Sequence, residues 1–88
     1  MIWAVELSAT AEKELRWLPR DRRARIDAAI DEMERDPLAG DVKPLKGHEW
    51  KGHSRKRIGP YRIIFTMDRN TMTVAISAIL IRSEKTYR

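Results

Sequence analysis

Two apolar runs, Tyr61 to Met67 and Met72 to Leu80, alternate residue by residue on either side of a short turn at Asp68 to Thr71. No other stretch restricts the possible folds as much. Successive side chains of a strand point to opposite faces, so this pattern predicts two antiparallel strands joined by a hairpin. If Met67 faces Met72, Arg62 faces Ser77, and one face gathers Tyr61, Ile63, Phe65, Met72, Val74, Ile76 and Leu80. That face is expected to be the core. The other face carries Arg62, Thr66, Thr73 and Ser77, with small Ala75 nearby.

Immediately upstream, residues 55 to 62 read Arg-Lys-Arg-Ile-Gly-Pro-Tyr-Arg. A two-residue turn at Gly59-Pro60 sets Ile58 against Tyr61 and Arg57 against Arg62. Like charges directly opposite destabilise an antiparallel pair, so a fold that keeps them is expected to gain from the charge. An anion gripped by arginine, such as a phosphate, fits that requirement. Arg55 lies alongside on the same face. A slip of one residue would expose Lys56 instead of Arg55 and Arg57. The competing reading for Arg62 is a strand arginine neutralised by an Asp or Glu on a loop.

The first half of the chain reads differently. Ile2 to Leu7 alternates as a short strand, and Ser8 is a suitable helix N-cap, although Ala11 at N3 leaves no capping box. Ala11, Leu15 and Leu18 form a thin helical stripe that Pro19 ends. Ile26, Ala29, Ile30 and Met33 then fall at i, i+3, i+4 and i+7, which predicts a second amphipathic helix stopped by Asp36-Pro37. Residues 38 to 53, with three glycines and one proline, read as a loop with a short extended piece at Val42 to Leu45. The expected fold is α+β: an N-terminal strand, an αα-hairpin, then antiparallel strands in one curved sheet that covers the helices.

At 88 residues there is room for one domain, 1–88, with a single core. The absence of cysteine excludes disulfides and thiolate metal sites and suits a reducing cytoplasm. The apolar start is too short for a signal peptide, and no run reaches about 18 apolar residues, so neither secretion nor a membrane partner is expected. Charge is strongly uneven. Residues 1–41 carry seven Lys or Arg against ten Asp or Glu, whereas residues 42–88 carry eleven against three. Within 43 to 62, Lys43, Lys46, Lys51, Arg55, Lys56, Arg57 and Arg62 face one acid, Glu49. Such a patch is the footprint of a polyanion, most often nucleic acid; the plainer reading is a solvated face that keeps a small domain soluble.

The element order, the Asp36-Pro37 stop, the segment Val42-Lys43-Pro44-Leu45-Lys46-Gly47, the hairpin from Arg55 to Phe65 and the tail from Arg82 to Tyr87 together resemble the RelE/ParE toxin superfamily of type II toxin-antitoxin systems, and RelE-like members most closely. The resemblance implies a metal-independent endoribonuclease, without cofactor, that cuts messenger RNA on the ribosome by promoting attack of a ribose 2′-hydroxyl on the adjacent phosphate. It carries the catalytic roles to Arg62, Arg57, Tyr87 and Arg82, and RNA binding to Arg55, Lys56, Lys51, Lys46 and Lys43. Tyr87 would stack on a base or assist proton transfer. Strict alternation sets Arg82 on the buried face with Leu80, so it reaches the site only if the strand ends or bulges at Ile81. The implied partners are a cognate antitoxin, acidic in part and bound in a hetero-oligomer, and the ribosome with its message.

Two other functions share this fold. ParE-like members act on DNA gyrase, and a degenerate toxin would serve only with its antitoxin in transcriptional repression.

Several residues carry weaker signals. His48 and His53 have no cysteine or suitably spaced carboxylate pair to complete a metal site. Trp3 and Trp17 read as core or partner surface, and Trp50 either packs its loop or touches RNA. Tyr61 has core parity.

Overall fold

The structure is a computed structural model that describes residues 2–81. In chain order its elements are β1 (Ala4–Leu7), α1 (Ala9–Arg16), α2 (Arg20–Met33), β2 (Val42–Pro44), a 3-10 turn at His48–Trp50, β3 (Ser54–Ile58), β4 (Tyr61–Asp68) and β5 (Thr73–Ile81). The strands form one mixed sheet in the order β1-β5-β4-β3-β2. β1 pairs parallel to β5 and the other neighbours are antiparallel.

α1 begins where its first turn finds a side-chain partner, and α2 follows the proline at 19. The Ser8 hydroxyl accepts the Ala11 amide at 3.0 Å, which caps α1. Trp17 closes that helix, and after Pro19 the chain enters α2, which presents Ile26, Ala29 and Met33 to the sheet. These pack with Trp3, Ala11, Tyr61, Ile63, Phe65, Val74, Ile76 and Ile79 in one buried cluster. Lys56 is also buried on this side, at 1% exposure. Its Nζ donates to Glu32 Oε1 and to the Ala39 carbonyl, both at 3.0 Å, and so ties the end of α2 and the following loop to β3. Among the described residues no helix is long and apolar enough to cross a membrane.

The β3–β4 hairpin has the expected register: Ile58 faces Tyr61 and Arg57 faces Arg62. The β4–β5 register differs from expectation. Met67 faces Val74 rather than Met72, because Met72 closes the turn with a left-handed φ of 53°. A bulge then inserts one extra residue in β5, Ser77, between the Phe65–Ile76 and Ile64–Ala78 pairs. Beyond it the parity of β5 reverses. Ile79 turns into the core, while Leu80, expected inside, is 41% exposed and lies opposite Arg62 in place of Ser77.

Candidate functional site

The sheet face turned away from the helices is built from alternate residues of four strands. Val42 pairs with Lys56 and both face the helices, so Lys43, which pairs with Arg55, lies on the outer face. Arg57 and Arg62 are directly opposite each other, and Arg55 pairs with Ile64, which in turn pairs with Ala78. Ile64 is 3% exposed yet stands apart from the main core cluster. It lies in the ladder between Arg55 and Ala78, on a face where long cationic side chains can lie along apolar surface while their heads stay polar. Arg55, Arg57, Arg62 and Lys43 thus share one face of the sheet with this apolar residue.

Asp41 sits on the same face. Its carboxylate Oδ1 accepts Arg55 Nη1 at 3.0 Å, and Oδ2 stands 3.9 Å from Arg57 Nε. Its backbone carbonyl accepts the Arg57 amide at 3.0 Å and Arg55 Nη1 at 3.1 Å. The hydrogen bond from Arg55 holds the Asp41 carboxyl below its ordinary range; burial opposes it, and the positive charges of Arg55, Arg57 and Lys43 each add a lesser lowering. Arg55 is therefore committed to an internal partner, with 11% of its side chain exposed against 34% for Arg57.

The sequence-predicted residues separate into four groups. Arg55, Arg57, Arg62 and Lys43 share the outer face. Lys46 and Lys51 are exposed on the β2–β3 loop, whose base is closed by the Leu45 amide donating to the His53 carbonyl at 2.9 Å. Lys56 belongs to the opposite face and is unavailable to RNA, because β3 did not slip. Arg82 and Tyr87 lie outside the described residues. Tyr61 is a core residue whose hydroxyl accepts Arg22 Nη1 at 3.3 Å. Trp50 meets His53 edge to face at 5.6 Å, so it packs its own loop. Among the described residues no group of three or more His, Cys, Asp or Glu could hold a metal ion.

The sequence reading missed two features. Asp41 was one: it lies just outside the basic window, but extending the pairing of Val42 with Lys56 by one residue sets it opposite Arg57. The other is an apolar groove of about 480 Å³ between α1 and the end of β5, lined by Trp17, Leu18, Leu80 and Ile81 among others. Trp17 is 78% exposed at its rim. The groove follows from the bulge, which no alternation pattern announced.

Comparison with known proteins agrees with this architecture. RelBE2, a toxin-antitoxin complex from Mycobacterium tuberculosis, contains a chain with a TM-score of 0.80 at 29% identity, covering 93% of this chain and 100% of that one. The archaeal RelE-RelB complex from Pyrococcus horikoshii gives 0.81 at 26%, covering 96% and 99%. Isolated RelE toxin from E. coli, at 19% identity, has the same fold with a TM-score of 0.75, covering 97% and 92%. No curated protein sequence matches. The family model described as the ParE toxin of the type II toxin-antitoxin system parDE matches residues 5–86, and the chain belongs to that family, as a toxin of the RelE/ParE superfamily.

Proposed function

We propose that this toxin is a ribosome-dependent endonuclease of messenger RNA, and the observation that carries the reading is the Arg57–Arg62 pair on the outer face of the sheet. Two guanidinium groups held opposite each other across a ladder present donors from both sides to one phosphate, which arginine grips by charge-assisted hydrogen bonds. In the reaction the 2′-oxygen attacks phosphorus, the bond to the 5′-oxygen breaks, and a 2′,3′-cyclic phosphate and a 5′-hydroxyl result. The phosphorane gains negative charge on its non-bridging oxygens, which Arg57 and Arg62 stabilise from a fixed scaffold. Lys43, Lys46 and Lys51 guide the flanking backbone, whereas Arg55 serves as a strut tied to Asp41. Asp41 is itself a poor base, since its carboxyl is held below the ordinary range. The 2′-proton and the leaving oxygen therefore need other groups, and Tyr87 and Arg82 are the candidates the resemblance supplies. The similarity to RelE chains from complexes with RelB supports a cognate antitoxin as partner.

Programmed ribosomes incubated with the purified toxin should yield cleaved message, and Arg62→Ala should remove most of the cleavage. Arg57→Ala should do the same, while Lys46→Ala should retain most activity. Intact message with the wild-type chain would exclude this activity. The match to the ParE family model supports a second reading, a toxin directed at DNA gyrase, the target that the resemblance to ParE-like members implies. Inhibition of supercoiling without RNA cleavage selects it.

A further inference from the structure

Asp41 stands where an anion would bind. One of its carboxylate oxygens addresses Arg55 at 3.0 Å and the other points toward Arg57 at 3.9 Å, as the two non-bridging oxygens of a phosphodiester would. Both groups carry one negative charge. The position is imposed by the backbone, because the Asp41 carbonyl is fixed by the Arg57 amide and by Arg55 Nη1. Buried Lys56 anchors the same segment two residues earlier, at the Ala39 carbonyl. Yet the carboxylate is not itself buried: its side chain is 46% exposed, so the fold holds it in contact with water and with any strand that approaches.

We propose that Asp41 is an internal competitor for the RNA backbone, occupying the Arg55 and Arg57 end of the cationic face until a phosphate displaces it; this rests on the reading of that face as an RNA site. It works by charge and place. An ionised carboxylate cancels one of the arginine charges, and Arg55 cannot grip a phosphate while Nη1 serves Asp41. A free strand must break this exposed pair to bind, whereas a strand already held in place by another surface meets the same barrier with its ordering cost already met. Asp41 therefore tunes the toxin against RNA in solution and leaves it responsive to RNA presented in a fixed geometry.

The test is binding of a fluorescent single-stranded RNA oligonucleotide, with 2′-O-methyl riboses to prevent cleavage, to the full chain across a salt series. Asp41→Asn keeps the size of the side chain and should tighten binding roughly three- to fivefold at low salt, the scale of an exposed ion pair. It should also steepen the logarithmic salt dependence by up to about 0.7, the scale of one phosphate contact, because binding no longer exchanges an internal ion pair for that contact. Arg55→Ala should weaken binding more in the Asp41→Asn background than in the wild type, because there Arg55 gains the phosphate contact without giving up an internal ion pair. Glu12→Gln on exposed α1 removes the same charge remotely and should not reproduce the gain. Unchanged or weaker binding by a folded Asp41→Asn variant overturns the proposal, as does an equal gain from Glu12→Gln. If neither wild type nor Asp41→Asn binds, or if Arg62→Ala binds as well as wild type, the RNA reading of the face fails, and the competitor role fails with it.

Discussion

The Glu14 carboxylate of α1 accepts the Ile79 amide of β5 at 2.7 Å. β1 covers β5 only from Thr73 to Ile76, so beyond the bulge the strand has no ladder partner on that side among the described residues. Side chains of α1 and its cap take over. The Ser8 hydroxyl donates to the Ser77 carbonyl at 2.9 Å, and Glu14 satisfies the Ile79 amide. The bulge is thus held by a helix rather than by a strand.

Glu14→Ala should destabilise the toxin by about 1–3 kcal/mol, because a partly buried amide loses a charged acceptor. Glu14→Gln keeps an acceptor oxygen and should lose less. Ser8→Ala removes both the helix cap and the Ser77 contact, at a cost of about 1–2 kcal/mol. Urea unfolding at neutral pH measures all three. A Glu14→Ala midpoint equal to the wild type would show that the bulge holds without the carboxylate.

The buried Lys56 should behave asymmetrically with Glu32. Glu32→Ala strands an ammonium that retains only the Ala39 carbonyl, and should cost about 1–3 kcal/mol, less than for a fully buried pair because Glu32 is half-exposed. Lys56→Met replaces the stem with apolar volume and leaves Glu32 to water, so its stability should lie near that of the wild type. Greater loss from Lys56→Met than from Glu32→Ala would reverse this assignment.

Repulsion across the Arg57–Arg62 pair should be visible in stability. Arg57→Thr removes a cross-strand like charge at the expense of a weak contact to Asp41, and should raise stability by about 0.2–1 kcal/mol while reducing message cleavage. Added salt screens the repulsion, so the gap between variant and wild type should narrow as sodium chloride rises. A variant less stable than wild type at low salt would mean that the Asp41 contact outweighs the repulsion.

Acid should expose the contribution of Asp41. Its folded-state carboxyl is held below the ordinary value, so its stabilisation is present above the unfolded-state value and disappears as pH falls through the lower folded-state one. At neutral pH the wild type should therefore be more stable than Asp41→Asn. The two unfolding midpoints should converge as the pH drops below the ordinary carboxylate range. A gap that persists at low pH would assign the difference to the amide substitution rather than to charge.

Much of this arrangement was legible because it rests on local periodicity. Ile26, Ala29 and Met33 mark their helix face by spacing alone, and Gly59-Pro60 fixes the β3–β4 register in two residues. The β4–β5 register failed for a physical reason. From Ala75 to Ile81 both parities are apolar apart from Ser77, so one inserted residue changes the phase without leaving a polar residue in the core. Ile79 and Leu80 are equally acceptable inside, and Glu14, sixty-five residues away in sequence from Ile79, helps decide between them. Lys56 entered the RNA-binding set through the resemblance, although it would be exposed only by a slip of β3. Strand parity relative to Arg55 and Arg57 pointed inward, and the partner that makes burial tolerable lies on α2. The pairing of Asp41 was hidden because the extended piece is short, and its first residue had no visible register.

The sheet order has a consequence for how the toxin is born. Among the described residues β5, the last strand in chain order, lies between β1, the first, and β4, so β1 lacks its described neighbour until nearly all the described chain exists. Loop closure of that length is slow relative to the local β3–β4 hairpin, which can form as soon as its turn emerges. The arginine pair can therefore assemble early, while the core beneath it remains open. A nascent chain would then display its charged face before it possesses a stable body, and anything that binds that face during synthesis meets the toxin before it has finished folding.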